Sequence, residues 1–124
     1  MNRTTFLIIA AVITGLFGIG LLLAPAQMAA TYGATLNAAG LLVARIGGSA
    51  LIALAWVVWG ARNGPGAEAM QAVLVAGLIA NVFDLLISGY ATMNGIIGYG
   101  IGWATVVLHI LLGAGFGYLA FVKR

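Results

Sequence analysis

Charge is scarce in this chain. Of its 124 residues only 6% are charged, five Lys or Arg against two Asp or Glu, where soluble domains carry about 25%. With 64% hydrophobic residues and a mean hydropathy of +1.17, so short a chain has more apolar surface than a water-soluble globule can hide, and its solvent has to be lipid. Cysteine is absent and histidine occurs once, which excludes disulfides, thiol chemistry and Cys-ligated metals and leaves no basis for a zinc site. There is no Ser-His-acid order, no carboxylate pair, no HExxH and no phosphate loop, so the chain reads as non-enzymatic, without a catalytic residue. The net charge of +3 rests on scattered residues with no basic stripe between aromatics, so no nucleic-acid partner is expected.

What is present is a series of apolar runs. Four of them, 5–24, 40–61, 67–88 and 99–121, come close to the roughly 20 residues needed to span a bilayer. Lipid offers the backbone no hydrogen bonds, so each is expected to be a helix. The expected fold class is all-α, one four-helix transmembrane domain over residues 1–124. The first run, with Arg3 before it and Ala24-Pro25-Ala26 after it, resembles a secretory signal. Its apolar stretch, 6–23, exceeds the 7–15 residues usual for such signals, and a first spanning helix is expected instead. Pro25 stops that helix, and 25–39 is expected to hold a short interfacial helix broken at Gly33. Asn37 and Asn94 stand where the second and fourth spans need N-caps. The quartets Ala34-Thr35-Leu36-Asn37 and Ala91-Thr92-Met93-Asn94 are alike, but the flanking helices do not align, and shared capping or chance accounts for them better than a repeat.

The basic residues orient the spans. Arg3, Arg62, Lys123 and Arg124 fall on one side of a four-span path, and the connections 25–39 and 89–98 carry no charge. The positive-inside rule then places both termini in the cytoplasm of a bacterial inner-membrane, multi-pass protein. Tyr32, Tyr90, Tyr99 and Trp103 fall near the outer boundary, and Trp56, Trp59 and Tyr118 toward the inner one, as interfacial anchors do.

Polar residues inside the runs are the candidate sites. Arg45 lies five residues into the second run and Asp84 four residues from the end of the third, which puts both just below the outer surface and predicts an ion pair, a structural clasp or part of a ligand or ion path. Asn81, Asp84 and Ser88 at i, i+3 and i+7, with Ser49 one turn from Arg45, predict a polar cluster around that pair. His109, ten residues into the fourth run, has three readings. It is a neutral imidazole bonded to a backbone carbonyl or to Asn81, or a proton relay with Asp84, or an axial ligand of haem or a chlorophyll-type pigment, with Gly113 leaving room beside the ring. One histidine per chain cannot supply two axial ligands unless two chains share the haem, and the default expectation is no cofactor and no metal. Gly98-x3-Gly102 and Gly113-x3-Gly117 fit the small-xxx-small pattern of close helix packing, within one bundle or against another subunit. Glu68 suits the positive end of the third helix and stands near Arg62 in sequence.

The run Leu22-Leu23-Ala24-Pro25, then Tyr32-Gly33, then Ala44-Arg45-Ile46-Gly47-Gly48 resembles small bacterial four-helix membrane proteins of the DoxX-like and DUF4345-like kind. In those, an apolar first helix ends in proline, a short outer stretch with glycine follows, and Arg then Gly opens the second helix. The resemblance covers roughly the first half, leaves His109 unaccounted for, and implies architecture rather than activity. With so little chain outside the spans, the expected function is a structural or accessory subunit of a homo-oligomer or larger membrane complex, in contact with lipid. A small transporter or channel using Arg45, Asp84 and Asn81, and a haem- or pigment-binding subunit using His109, are the alternatives.

Overall fold

The computed structural model describes residues 2–122. Lys123 and Arg124, which contribute to the expected orientation, lie outside the described residues. The chain forms five helices, α1 (Arg3–Leu23), α2 (Pro25–Thr31), α3 (Ala38–Ala61), α4 (Ala67–Met93) and α5 (Tyr99–Phe121), with no strand among the described residues. Helices α1, α3, α4 and α5 are each long and apolar enough to cross a membrane. The chain divides into two compact units, Met1–Asn63 and Gly64–Arg124, each built on one pair of long helices.

In the first unit, single side chains set the helix ends. Asn2 Oδ1 accepts the Thr5 N–H at 2.8 Å, satisfying one of the orphan donors of a helix start and beginning α1 two residues before the apolar run. Pro25 ends α1 as expected and becomes the first residue of α2, where its missing N–H costs nothing. The short α2 closes on Gly33 at φ +74. The Gly33 N–H bonds Ala30 O and the Ala34 N–H bonds Ala29 O, each at 3.0 Å, a paired C-terminal closure that needs a left-handed residue. Asn37 caps α3, its Oδ1 accepting from Gly40 N at 2.8 Å.

Helices α1 and α3 run antiparallel and meet through glycine. A Cβ on Gly18 would lie 2.8 Å from Gly48 O, and one on Gly48 would lie 2.7 Å from both Gly18 O and Leu22 N. The two backbones thus touch directly at this crossing, and dispersion between main chains replaces interdigitated side chains. Arg62 closes α3: a guanidinium nitrogen donates to Trp59 O at 2.7 Å, and the group lies 4.0 Å over the Trp59 ring, joining a C-terminal carbonyl bond to a cation–π contact. Arg3 opens α1 and Arg62 ends α3, so both cations sit at one end of this antiparallel pair.

In the second unit, α4 runs to Met93, five residues past the expected end at 88. Gly89 does not break it, because in lipid an unbonded backbone costs more than the conformational freedom a glycine gives up. Ser88 Oγ donates to Asp84 O, and Thr92 Oγ1 to Ser88 O at 2.7 Å, so these hydroxyls remain on their own helix. The helix ends on Gly95 at φ +67, with Gly95 N–H to Thr92 O at 3.2 Å and Ile96 N–H to Ala91 O at 2.9 Å. Asn94 is therefore not the N-cap of the last span. It closes α4, its Nδ2 donating to Tyr90 O at 2.8 Å, while Gly98 precedes α5 without a side-chain cap. The two similar quartets consequently do different things: one leads into a helix and the other ends one. Residues 94–98 join α4 to α5. At 27 residues α4 is about 40 Å long, more than a hydrocarbon core of about 30 Å requires, a surplus that tilt or extension past the core takes up.

The Gly18–Gly48 crossing has a stability consequence. Gly48→Ala is expected to destabilise the detergent-solubilised protein by about 1–3 kcal/mol through overpacking. Gly47→Ala, with nothing within 4 Å of the added methyl, is expected to fall within about 0.5 kcal/mol of wild type. Unfolding of the two variants side by side checks this; equal losses would contradict the backbone contact.

Candidate functional site

The second unit holds the polar contact that the rest of its packing surrounds. Helices α4 and α5 run antiparallel, and the buried stripe of α4 is Met70, Leu74, Gly77, Asn81, Ser88 and Thr92. Two small residues let the helices close. A Cβ on Gly77 would lie 2.6 Å from the buried Phe116 ring, so that ring lies against the α4 backbone. Near the other end, a Cβ on Gly102 would collide with the buried Thr92 side chain. Between these contacts sit Asn81 and His109, fourteen and ten residues into their helices.

Asn81 is buried and its amide faces two partners. Nδ2 donates to Gly77 O at 2.8 Å, and Oδ1 lies 3.0 Å from His109 Nδ1. A backbone carbonyl only accepts, so the amide nitrogen must face Gly77 and the amide oxygen must face the imidazole. That oxygen also only accepts, so His109 Nδ1 carries the proton. In the neutral ring, Nε2 is then left with its lone pair. Three groups in series, Gly77 O, the Asn81 amide and the imidazole, thus set one tautomer of the only histidine.

Around this relay lies an open groove of about 400 Å³, lined among others by Leu78, Val82, Ile110, Gly113, Ala114 and Tyr118 together with Asn81 and His109. Gly113 and Gly117, expected as packing positions, fit less tightly than Gly102. A Cβ on Gly113 would meet Asn81 Cβ at 3.4 Å and one on Gly117 would meet Leu78 at 3.6 Å, which is ordinary contact. Gly98 lies outside α5 as its N-terminal flanking residue. Of the four glycines singled out for packing, Gly102 makes a close approach; Gly18, Gly48 and Gly77, which also sit hard against a neighbouring helix, were not among them.

The other expected site residues are distributed differently. Arg45 is exposed on α3, and Ser49 turns its hydroxyl back to Ile46 O at 2.8 Å. On α4, Asn81 and Ser88 are buried while Asp84 is exposed. The three differ in surroundings: Asp84 flanks the buried stripe, the Ser88 hydroxyl bonds a backbone carbonyl, and the Asn81 amide is taken up by Gly77 and His109. Asp84 lies nine residues from the end of α4, about 13 Å along its axis, where the sequence placed it four residues from the end, because that helix is longer. Arg45 lies seven residues into α3, about 10 Å. The two belong to different units. Among the described residues no group of three His, Cys, Asp or Glu side chains could hold a metal ion.

The chain matches no family model, no curated protein and no solved structure, so the case for a function rests on its own residues.

The Asn81–His109 contact is measurable as a coupling. In a double-mutant cycle with Asn81→Leu and His109→Phe, the pair is expected to show about 0.5–1.5 kcal/mol of interaction in unfolding stability, the net worth of one buried hydrogen bond. Additive losses would contradict the contact.

Proposed function

We propose that this chain is a non-enzymatic subunit of a membrane assembly, either a homo-oligomer or a complex with other membrane proteins, in the bacterial inner membrane with both termini cytoplasmic. The observation that carries the reading is the exposure of Arg45 on α3 and of Asp84 on α4, both well inside helices long and apolar enough to span. A charge facing hydrocarbon costs about 2.5–3.5 kcal/mol on insertion scales, and lipid tails supply neither counter-charge nor hydrogen bonds. Protein must cover these groups. They are the one cation and the one anion away from the ends of the spans, so each is the most economical counter-ion for the other.

Two further features support an assembly. Gly47, Gly60, Gly89 and Gly100 have open space where a Cβ would be, which lets a neighbouring helix approach closely. The chain also has almost no mass outside its helices on which a separate activity could be built. The resemblance to DoxX-like and DUF4345-like proteins belongs to the same proposal and bears on architecture alone. A transporter built on Arg45, Asp84 and Asn81 has less support, since the Asn81 amide and the Ser49 and Ser88 hydroxyls already have partners on or beside their own helices.

Native mass measurement after extraction into lipid nanodiscs tests the proposal. The expected species is a multiple of 12.6 kDa or a complex with a second membrane protein; a lone monomer would contradict it. Asp84→Ala is expected to lower the yield of the assembled species by stranding Arg45, and Arg45→Ala in the same chain is expected to restore part of it. Additive losses would contradict the pairing.

A further inference from the structure

The first unit carries three cations and no anion. Arg3, Arg45 and Arg62 fall within Met1–Asn63, and both acids of the chain, Glu68 and Asp84, fall outside it. Arg45 lies near the start of α3, while Arg3 and Arg62 stand at the opposite end of the α1–α3 pair. Counted from the Gly18–Gly48 crossing, Arg3 is fifteen residues away along α1 and Arg62 fourteen along α3, about 22 and 21 Å. The two cations thus share one level of the unit. Trp59 is there as well, a residue type that concentrates where membrane meets water.

Arg62 is not a loose surface side chain. Its Nη1 donates to Trp59 O at 2.7 Å, and its Cζ lies 4.0 Å from the centroid of the Trp59 ring. These contacts hold the guanidinium in place at the helix end, so less side-chain freedom is lost when it binds a ligand. One bond to Trp59 O leaves most of the five N–H donors of the group uncommitted, and among the described residues Arg62 makes no ion pair and no other hydrogen bond. A helix C-terminus by itself repels an anion, but with about half a charge against the full charge of the guanidinium, and α1 brings its positive N-terminal end to the same level.

The chemistry selects the ligand. A planar donor fork matches the oxygens of a phosphate, and at a membrane surface phosphates stand on lipid headgroups. A zwitterionic headgroup brings an ammonium with it, and this unit has no carboxylate to receive one. A headgroup with net negative charge needs none. We propose that Arg62, backed by Trp59 and assisted by Arg3, binds the phosphate of an anionic phospholipid at the membrane surface where α1 begins and α3 ends. The site lies within one unit and does not depend on whether the chain assembles with others.

The test is native mass spectrometry of the full chain in detergent, titrated with phosphatidylglycerol or with phosphatidylcholine of the same acyl chains, counting the lipids retained per chain. The first phosphatidylglycerol is expected to bind about fivefold tighter than phosphatidylcholine, the factor for about 1 kcal/mol, which is the worth of one basic residue at an anionic surface. Arg62→Lys keeps the charge and loses the planar fork, and is expected to bring the two lipids to within about twofold of each other. Trp59→Leu keeps the arginine and removes its ring, and is expected to at least halve the preference. Circular dichroism in the same detergent checks that the variants keep their helices, and the comparison of the two lipids on the wild-type chain stands without them. Glycerol 3-phosphate at millimolar concentration is expected to leave the bound lipid in place. Equal retention of both lipids, or a preference unchanged in Arg62→Lys, would overturn the assignment. So would displacement by glycerol 3-phosphate, which would give the site to a soluble phosphate instead.

Discussion

A polar group in hydrocarbon has no water to return to, and this constraint orders the whole chain. The backbone answers it by forming helices, and the side chains answer it by bonding to those helices. Hydroxyls of Ser49, Ser88 and Thr92 each return to a carbonyl three or four residues earlier. Asn81 goes further. Its amide nitrogen holds Gly77 O and its oxygen holds His109 Nδ1, so one side chain satisfies its own helix and ties a second helix to it. The burial of Asn81 is tolerable because both ends of the amide are bonded, and the consequence is a histidine with a defined tautomer and a free lone pair.

Glycine makes this geometry reachable. Where Gly77 stands, the Phe116 ring occupies the space a Cβ would take, and the two helices approach closely enough for Asn81 to meet His109 four residues further along α4. In the first unit Gly18 and Gly48 bring α1 and α3 into direct backbone contact. Both pairs thus rely on close packing rather than on a hydrophobic gradient, which lipid does not supply between helices. Small gains in side-chain volume at these positions act on the pairing itself.

The spans, the stop at Pro25, the short helix ending at Gly33 and the Asn37 cap were legible in the sequence, because each rests on a local property: a run of apolar residues, a missing N–H, a left-handed turn, a side-chain acceptor. The extension of α4 through Gly89 was not, since glycine weakens helices in water far more than in lipid. Asn94 was misplaced for the same reason: with α4 longer, the residue closes one helix instead of opening the next. The helix faces were least legible. A span that meets lipid on one side and protein on the other is apolar all round, so periodicity did not separate the buried Asn81 and Ser88 from the exposed Asp84, nor pick out Gly77 from the other glycines. Asn81 stood among the possible partners of His109, but the direction of the bond depended on Gly77 O, a backbone atom that carries no sequence signal.

The central claim is that the amide of Asn81 holds the imidazole of His109 with its proton on Nδ1 and a bare Nε2. Because the chain has one histidine, ¹⁵N labelling of histidine alone gives a spectrum with a single imidazole, and the one-bond N–H coupling reports which nitrogen is protonated. The account predicts, for the neutral ring in lipid nanodiscs, a proton on Nδ1 and none on Nε2, with loss of that preference in Asn81→Leu. A proton on Nε2 in the wild-type protein, or the same tautomer with and without the Asn81 amide, would contradict it.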